Sequence, residues 1–359
     1  MPETEKQTHE FKILSIDGGG IKGLYSAVVL AHLEEKFKCR LVDCFDMICG
    51  TSTGGLIALG LASGKSAQEL VDFYEQEGPA IFGHRNTFTA LLKQLTGTVG
   101  QVFVGGKYGH RRLEAAVTKV LGADTRMSQA QALLCIPSFN LMKGWPRVFK
   151  FPHPEGDIDL NKYGRMVDVA LATTAAPTYF PIAAINGSYY VDGGVWANNP
   201  TLCGVLEALR YFVGPGKTLQ GKNAGKEFSE YSILSIGSVQ EYSAWSLKGR
   251  LWQQKWRKRG FVSWQDKLFQ TSLDGQAQFA DNFTSKLIHW TKAPGHYHRI
   301  SSPALSAEQQ AVIGLDKASS SAISLLKTLG NQVGEDYRSN DKIGLIAPFF
   351  SHPKQYLTH

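Results

Sequence analysis

Short apolar runs alternate with amphipathic stretches along the first two hundred residues, and glycine marks each change of period. Phe11-Lys-Ile-Leu-Ser-Ile16 is β-rich and mostly apolar, the pattern of a buried strand. It runs into Asp17-Gly-Gly-Gly-Ile-Lys-Gly23, a composition that only a loop accommodates. Leu24, Ala27, Val28 and Ala31 then recur at helical spacing in a stretch that reaches Lys38. A second apolar run, Phe45 to Cys49, leads into Gly50-Thr-Ser-Thr-Gly-Gly55 and another helical stretch up to Ser63. Strand, loop and helix repeated in this way predict an α/β layered fold, a central mostly parallel sheet flanked by helices.

Further along, the pattern predicts helices near 66–78, 86–96 and 110–121, and strands over 133–141 and 147–151. A helix over 165–175 stops before Pro177, and the short strand Tyr189–Val191 runs into Asp192-Gly-Gly194. A helix over 200–212 carries its proline in the first turn, where the missing N–H costs nothing. Residues 214–227 read as a surface loop, Tyr231–Ile236 as a strand, 245–290 as helical and 316–330 as a helix. No internal repeat and no dividing linker occurs. The expected organisation is a flexible tail at 1–10, a core at 11–213 and a part at 214–359, helical in its extension, that completes the same domain.

Composition narrows the class. With 19% charged and 43% hydrophobic residues the chain is not disordered. No apolar run approaches the ~18 residues of a spanning helix, and the polar first ten residues do not read as a secretory signal. Five scattered cysteines, none in a C-x-x-C pair, make neither a disulfide framework nor a metal site. A cytoplasmic globular protein with free thiols is expected. Glycine is in excess, 37 of 359 residues, and its placement points to chemistry.

Three glycine loops carry that chemistry. Gly18-x-Gly20-x-x-Gly23 follows a strand and opens a helix, which fits a Rossmann-type dinucleotide-binding oxidoreductase, with Asp43 in place as the ribose acid. The same bare N–H groups at a helix N-terminus suit an oxyanion equally well. Gly50-Thr51-Ser52-Thr53-Gly54 is G-x-S-x-G between a strand and a helix, the context of a nucleophile elbow. A serine hydroxyl needs a base. Asp192, at the head of Asp192-Gly193-Gly194, offers a carboxylate at a strand end, while His153, His296 and His298 offer the alternative of a histidine base.

Together, Gly18-Gly19-Gly20-Ile21-Lys22-Gly23, Gly50-Thr51-Ser52-Thr53-Gly54 and Asp192-Gly193-Gly194 resemble the patatin-like phospholipases. Gly105-Gly-Lys-Tyr108 with Leu113-Glu114, Thr173-Thr-Ala-Ala-Pro177 and Ala197-Asn-Asn-Pro200 resemble them too, and the likeness covers roughly residues 11–210. It implies a Ser52–Asp192 dyad without histidine and an oxyanion hole from Gly18, Gly19, Gly20, Lys22 and Gly23. Asp43 then has no ribose role, and neither a metal nor an organic cofactor is needed. The start of the chain and its basic C-terminal third resemble, more narrowly, the CapV-type phospholipase effectors of bacterial antiphage (CBASS) systems. That likeness implies activation by a cyclic dinucleotide such as cGAMP, membrane degradation in antiphage defence, and a homo-oligomer on activation. A non-catalytic cyclic-nucleotide sensor is the third class.

The formal charge of +7 is concentrated after residue 240. Trp252, Lys255, Trp256, Arg257, Lys258 and Arg259 alternate aromatic and basic character. Three readings stand side by side: a membrane-surface element, a nucleotide contact, and a packed helix with a solvated basic face. The expected partners are membrane phospholipid, met peripherally at the inner membrane, and the cyclic dinucleotide. No recognition motif for a nucleic-acid polymer is present.

Overall fold

The computed structural model describes residues 8–82, 108, 110–156, 164–240, 261–291 and 295–359. Eight strands lie in one sheet: β1 (Thr8–Ile16), β2 (Met47–Gly50), β3 (Leu133–Asn140), β4 (Trp145–Lys150), β5 (Ala183–Ile185), β6 (Ser188–Asp192), β7 (Glu227–Ile236) and β8 (Tyr297–Ile300). The order is β5-β6-β3-β2-β1-β7-β8, with β4 pairing β3 on its other edge. The five strands from β3 to β8 are parallel, and β4, β5 and β6 add an antiparallel flank. The mostly parallel α/β sheet expected from the sequence is therefore present.

The strand β1 is central, and Phe11, Ile13, Leu14 and Ile16 are fully buried, which is why it reads as an almost continuous apolar run. It begins at Thr8 rather than Phe11. Thr8, His9 and Glu10 pair with Glu227, Phe228 and Glu230 of β7, so three residues assigned to the flexible tail belong to the sheet. Ladder hydrogen bonds come from the backbone, and polar side chains at a strand end do not prevent them.

The longer described helices are α1 (Gly23–Phe37), α2 (Thr53–Ala62), α3 (Ala67–Phe82), α4 (His110–Leu121), α5 (Met166–Thr174), α6 (Thr201–Tyr211), α7 (Phe261–Thr291) and α8 (Ser320–Arg338). One face of the sheet is covered by α6: a Cβ on Gly204 would strike Cys49 and Ile13, and Thr201 Oγ1 donates to Ser15 Oγ at 2.9 Å. The other layer is built from α1, α2, α3, α5 and α8, which pack against one another. The helix predicted at 86–96 lies outside the described residues, as do 245–260 of the basic stretch, whose described helix begins at Phe261. No described helix is long and apolar enough to cross a membrane. All five cysteines are free.

The C-terminal segment closes the end of the sheet opposite the glycine loops. Asp46, wholly buried, accepts the backbone N–H groups of Lys12 (2.7 Å), Gln355 (2.6 Å) and Tyr356 (2.6 Å). Lys12 is equally buried and donates its ammonium to the carbonyls of Phe349 (3.1 Å) and His352. Removing a buried acceptor strands its donors. Asp46→Ala is expected to lower stability by about 3 kcal/mol in urea unfolding, with Asp46→Asn keeping part of that loss because one carbonyl oxygen remains.

Candidate active site

Strand register brings two of the three glycine loops to the same level. Cys49 pairs with Cys135, and Ser138, three residues further along β3, pairs with Asp192. Three residues after Cys49 comes Ser52. The antiparallel return of β6 thus delivers Asp192 beside a serine 140 positions away in the chain. Ser52 Oγ donates to Asp192 Oδ2 at 2.6 Å.

Ser52 sits at φ 54°, ψ −123°, a conformation that side chains disfavour and that surrounding structure must enforce. Its N–H donates to Thr173 Oγ1 at 3.0 Å, and that hydroxyl donates in turn to Pro137 O at 2.6 Å. Thr51 donates its N–H to Ile16 O at 3.3 Å and its hydroxyl to Ala197 O at 2.6 Å. The turn closes against backbone on both sides. A Cβ at Gly50 would lie 2.2 Å from Gly54 O, and one at Gly54 would lie 2.4 Å from Ile16 O. These contacts explain why G-x-S-x-G needs glycine at each end. The helix α2 begins at Thr53, so its N-terminus is directed at the serine.

Asp192 is buried. Its Oδ1 accepts the Gly194 N–H at 2.7 Å while Oδ2 accepts the serine hydroxyl. Burial raises its pKa from 3.8 to about 7, and these two hydrogen bonds only partly offset that rise. The carboxyl therefore has the proton affinity of a base that works near neutrality.

The first loop is tied down before it reaches the cavity. The Gly18 N–H donates to Asn198 O at 3.0 Å and the Gly19 N–H to Thr53 Oγ1 at 3.2 Å. Gly20 has φ +60°, and a Cβ there would lie 2.0 Å from Leu315 O, so only glycine fits. Its N–H heads the short turn Gly20–Lys22 and has no acceptor within that turn. Gly19 and Gly20 line the cavity in front of Ser52. Gly18, Lys22 and Gly23 do not, contrary to their expected place in the hole. Gly18 is spent on Asn198. Lys22 donates its N–H to Gly19 O at 3.2 Å and buries its side chain by a separate polar crevice, and the Gly23 N–H closes onto Gly20 and Ile21. Gly193 approaches Pro137 and Gly194 approaches Leu273, so both make room at the base of the site.

The alternatives weighed from the sequence separate in space. Asp43 is exposed in a short helix that precedes β2, at the opposite end of the parallel strands from the first loop, so it cannot meet a ribose bound there. His153 is held by Glu207 (3.1 Å) and Glu155 (3.4 Å), and His298 contacts Tyr337 OH at 2.8 Å. His296 lends its backbone N–H to Ser232 Oγ at 2.9 Å. None of the three lines the cavity. Trp252, Lys255, Trp256, Arg257, Lys258 and Arg259 lie outside the described residues.

The cavity beyond Ser52 is walled by Leu56, Phe73, Ile81, Phe82, Phe180, Phe269 and Leu273. Sequence periodicity marks these positions only as core, because a cavity wall and a packed interior draw on the same residue types. Asp17, where the first loop leaves β1, forms a two-pronged buried ion pair with Arg299, which also donates to Ser235 Oγ at 2.7 Å. Nothing in the spacing of the sequence marks Arg299 for this role.

Comparison with known proteins shows the family. The family model described as patatin-like phospholipase matches residues 14–202, over half of the chain. The chain is 30% identical over 342 residues to a "cGAMP-activated phospholipase" of Pseudomonas aeruginosa, covering 95% of this chain and 92% of that protein. It is 29% identical over 365 residues to one of Vibrio cholerae, covering 98% of each. Identity to "Patatin-like protein 2" of Oryza sativa subsp. indica is 32% over 299 residues, covering 76% of this chain and 69% of that protein.

The raised pKa of Asp192 carries a stability consequence. Between about pH 4 and 7 the unfolded chain has already lost the proton that the folded chain keeps. Wild-type stability therefore falls as pH rises through that window, by roughly 4 kcal/mol at most. Asp192→Asn has no such proton to lose. Its thermal midpoint is expected to exceed that of the wild type by more at pH 8 than at pH 4, measured by calorimetry at both values.

Proposed function

The chain belongs to the patatin-like phospholipase family, and from that premise we propose that it cleaves acyl esters of membrane phospholipids with Ser52 as nucleophile and Asp192 as its base. The observation that carries this reading is the 2.6 Å hydrogen bond from Ser52 Oγ to a buried carboxylate at the mouth of an apolar cavity. Ser52 Oγ attacks the ester carbonyl and its proton passes to Asp192 Oδ2. The tetrahedral oxyanion is met by the Gly20 amide of the first loop and the Thr53 amide at the head of α2. Collapse expels the lysophospholipid alkoxide, which takes the proton from Asp192. Water then adds to the acyl-serine, Asp192 accepts its proton, and the fatty acid leaves as the hydroxyl of Ser52 is restored. The acyl chain occupies the apolar walls beyond the serine.

The relatives named as cGAMP-activated match over nearly the whole chain, which supports control of this chain by a cyclic dinucleotide as well. On this reading the enzyme acts peripherally on the inner membrane in antiphage defence. The basic, tryptophan-rich stretch remains a candidate contact for lipid or nucleotide. The displaced Asp43 weighs against a dinucleotide-binding oxidoreductase.

Fatty-acid release from phosphatidylglycerol vesicles, with and without a panel of cyclic dinucleotides, tests this function. Release is expected to rise with one of them. Ser52→Ala and Asp192→Asn are each expected to lower it by at least about a thousandfold. Nucleotide binding without ester hydrolysis would instead make the chain a sensor. Because the base must be ionised and burial places its pKa at about 7, kcat/KM is expected to fall about tenfold per pH unit below that value and to level off above it.

A further inference from the structure

Beside the site, the strand β3 runs past the elbow and ends in a turn that the proposed chemistry does not use. Gly50 ends β2 at the level of Ile136, so the turn beginning at Leu141 stands five residues, about 16 Å, further out on the catalytic edge of the sheet. The turn is firmly held. Asn140 Oδ1 accepts the Lys143 N–H and Asn140 O the Gly144 N–H, both at 2.9 Å, and Leu141 donates to Tyr189 O at 2.9 Å.

Its side chains nonetheless face solvent. Leu141 is 43% exposed, Met142 63% and Trp145 57%, with Tyr189 of β6 at 51% beside Leu141. Leu141 lies beside Tyr189 on one face of the hairpin and Trp145, opposite Asn140, on the other, so the tip presents apolar side chains on both faces. Monomeric surfaces seldom gather large apolar side chains in this way without a partner. The charge beside them has one sign. Lys143 Nζ lies 5.7 Å from the Trp145 ring, Arg147 follows on β4, and no acidic residue occurs from Asn140 to Lys150.

We propose that this hairpin tip docks the protein on an anionic phospholipid bilayer. Leu141, Met142 and Trp145 enter the headgroup region while Lys143 and Arg147 meet lipid phosphates. An amphipathic indole beside a flexible ammonium suits that boundary, where one end is apolar and the other wet. The basic residues draw the tip to anionic lipid, and apolar burial holds it there. The inference rests on the hydrolase reading for its purpose, since a membrane substrate must be brought to the cavity mouth.

Vesicle flotation tests it without catalysis. In a Ser52→Ala background, the full chain is expected to float with phosphatidylglycerol–phosphatidylethanolamine vesicles and much less with phosphatidylcholine vesicles. Adding Met142→Asp with Trp145→Ala, or Lys143→Glu alone, is expected to weaken partition by about tenfold, with the thermal midpoint unchanged because these side chains are exposed. With Ser52 intact, the same substitutions are expected to leave hydrolysis of the soluble ester p-nitrophenyl butyrate unchanged while lowering hydrolysis of vesicles. Unchanged flotation of the hairpin variants would overturn the docking. Unchanged flotation with loss of a dimer on gel filtration would also overturn it, and would assign the face to a second copy of the chain. A Ser52-intact protein inert toward every ester would count against the hydrolase reading, while flotation would still decide the docking.

Discussion

The site depends on holding Ser52 in a backbone conformation that its side chain disfavours. At φ 54° the residue stores strain of order 1–3 kcal/mol, and the surroundings supply what keeps it there. Thr173 takes its N–H, Thr51 is pinned to Ile16 and Ala197, and Gly50 and Gly54 let the chain fold back onto itself. Each restraint comes from a different part of the sequence: β1, α5, and the segment after Asp192. The elbow can therefore form only when the sheet and both helical layers are assembled. Its strain keeps the hydroxyl projecting from the strand–helix junction toward Asp192 and the cavity.

Burial of Asp192 does two things at once. It fixes the carboxylate by hydrogen bonds from Ser52 and Gly194, and it removes the water that would keep the proton affinity of the group low. Among the described residues no histidine lines the cavity to share the load. An aspartate in water is too weak a base to draw a proton from serine, and the desolvated one is far closer to what the reaction needs. The fold meets the destabilising cost of that group elsewhere, in a fully buried core beneath α6 and in the docked C-terminus around Asp46 and Lys12.

The two ends of the parallel strands carry different work. At one end Asp46 and Lys12 tie the C-terminal segment to the sheet by buried hydrogen bonds. At the other end the strands release glycine-rich loops whose N–H groups and side chains face a cavity, as open parallel sheets characteristically do at their carboxyl edge. The antiparallel flank extends that edge outward. The same hairpin strand β3 that aligns Asp192 with Ser52 also carries the exposed tip at Leu141–Trp145.

Much of this was legible in local sequence. Glycine placement and apolar runs marked β1, β2 and the loops after them, because a tight turn and a doubly buried strand each restrict residue type within a few positions. G-x-S-x-G singled out Ser52 for the same local reason. What the pattern could not resolve was pairing between distant segments. By residue type alone Asp192, His153, His296 and His298 all stood as candidate bases and Asp43 fitted a spacing rule, and only the resemblance to a known family favoured Asp192. Strand register put Asp192 at the level of Ser52 and left Asp43 at the wrong end of the sheet, and helix packing bound His153 to Glu207. Likewise Gly18, Gly19 and Gly20 are alike as letters, and only the acceptors brought near them by Asn198 and Thr53 decide which amides are spent within the fold. The sequence by itself determined the local conformations and the chemical types available. The tertiary structure decided which groups meet and which of them lose water, because both depend on contacts between segments distant in the chain, from 34 positions for Gly19 and Thr53 to 140 for Ser52 and Asp192.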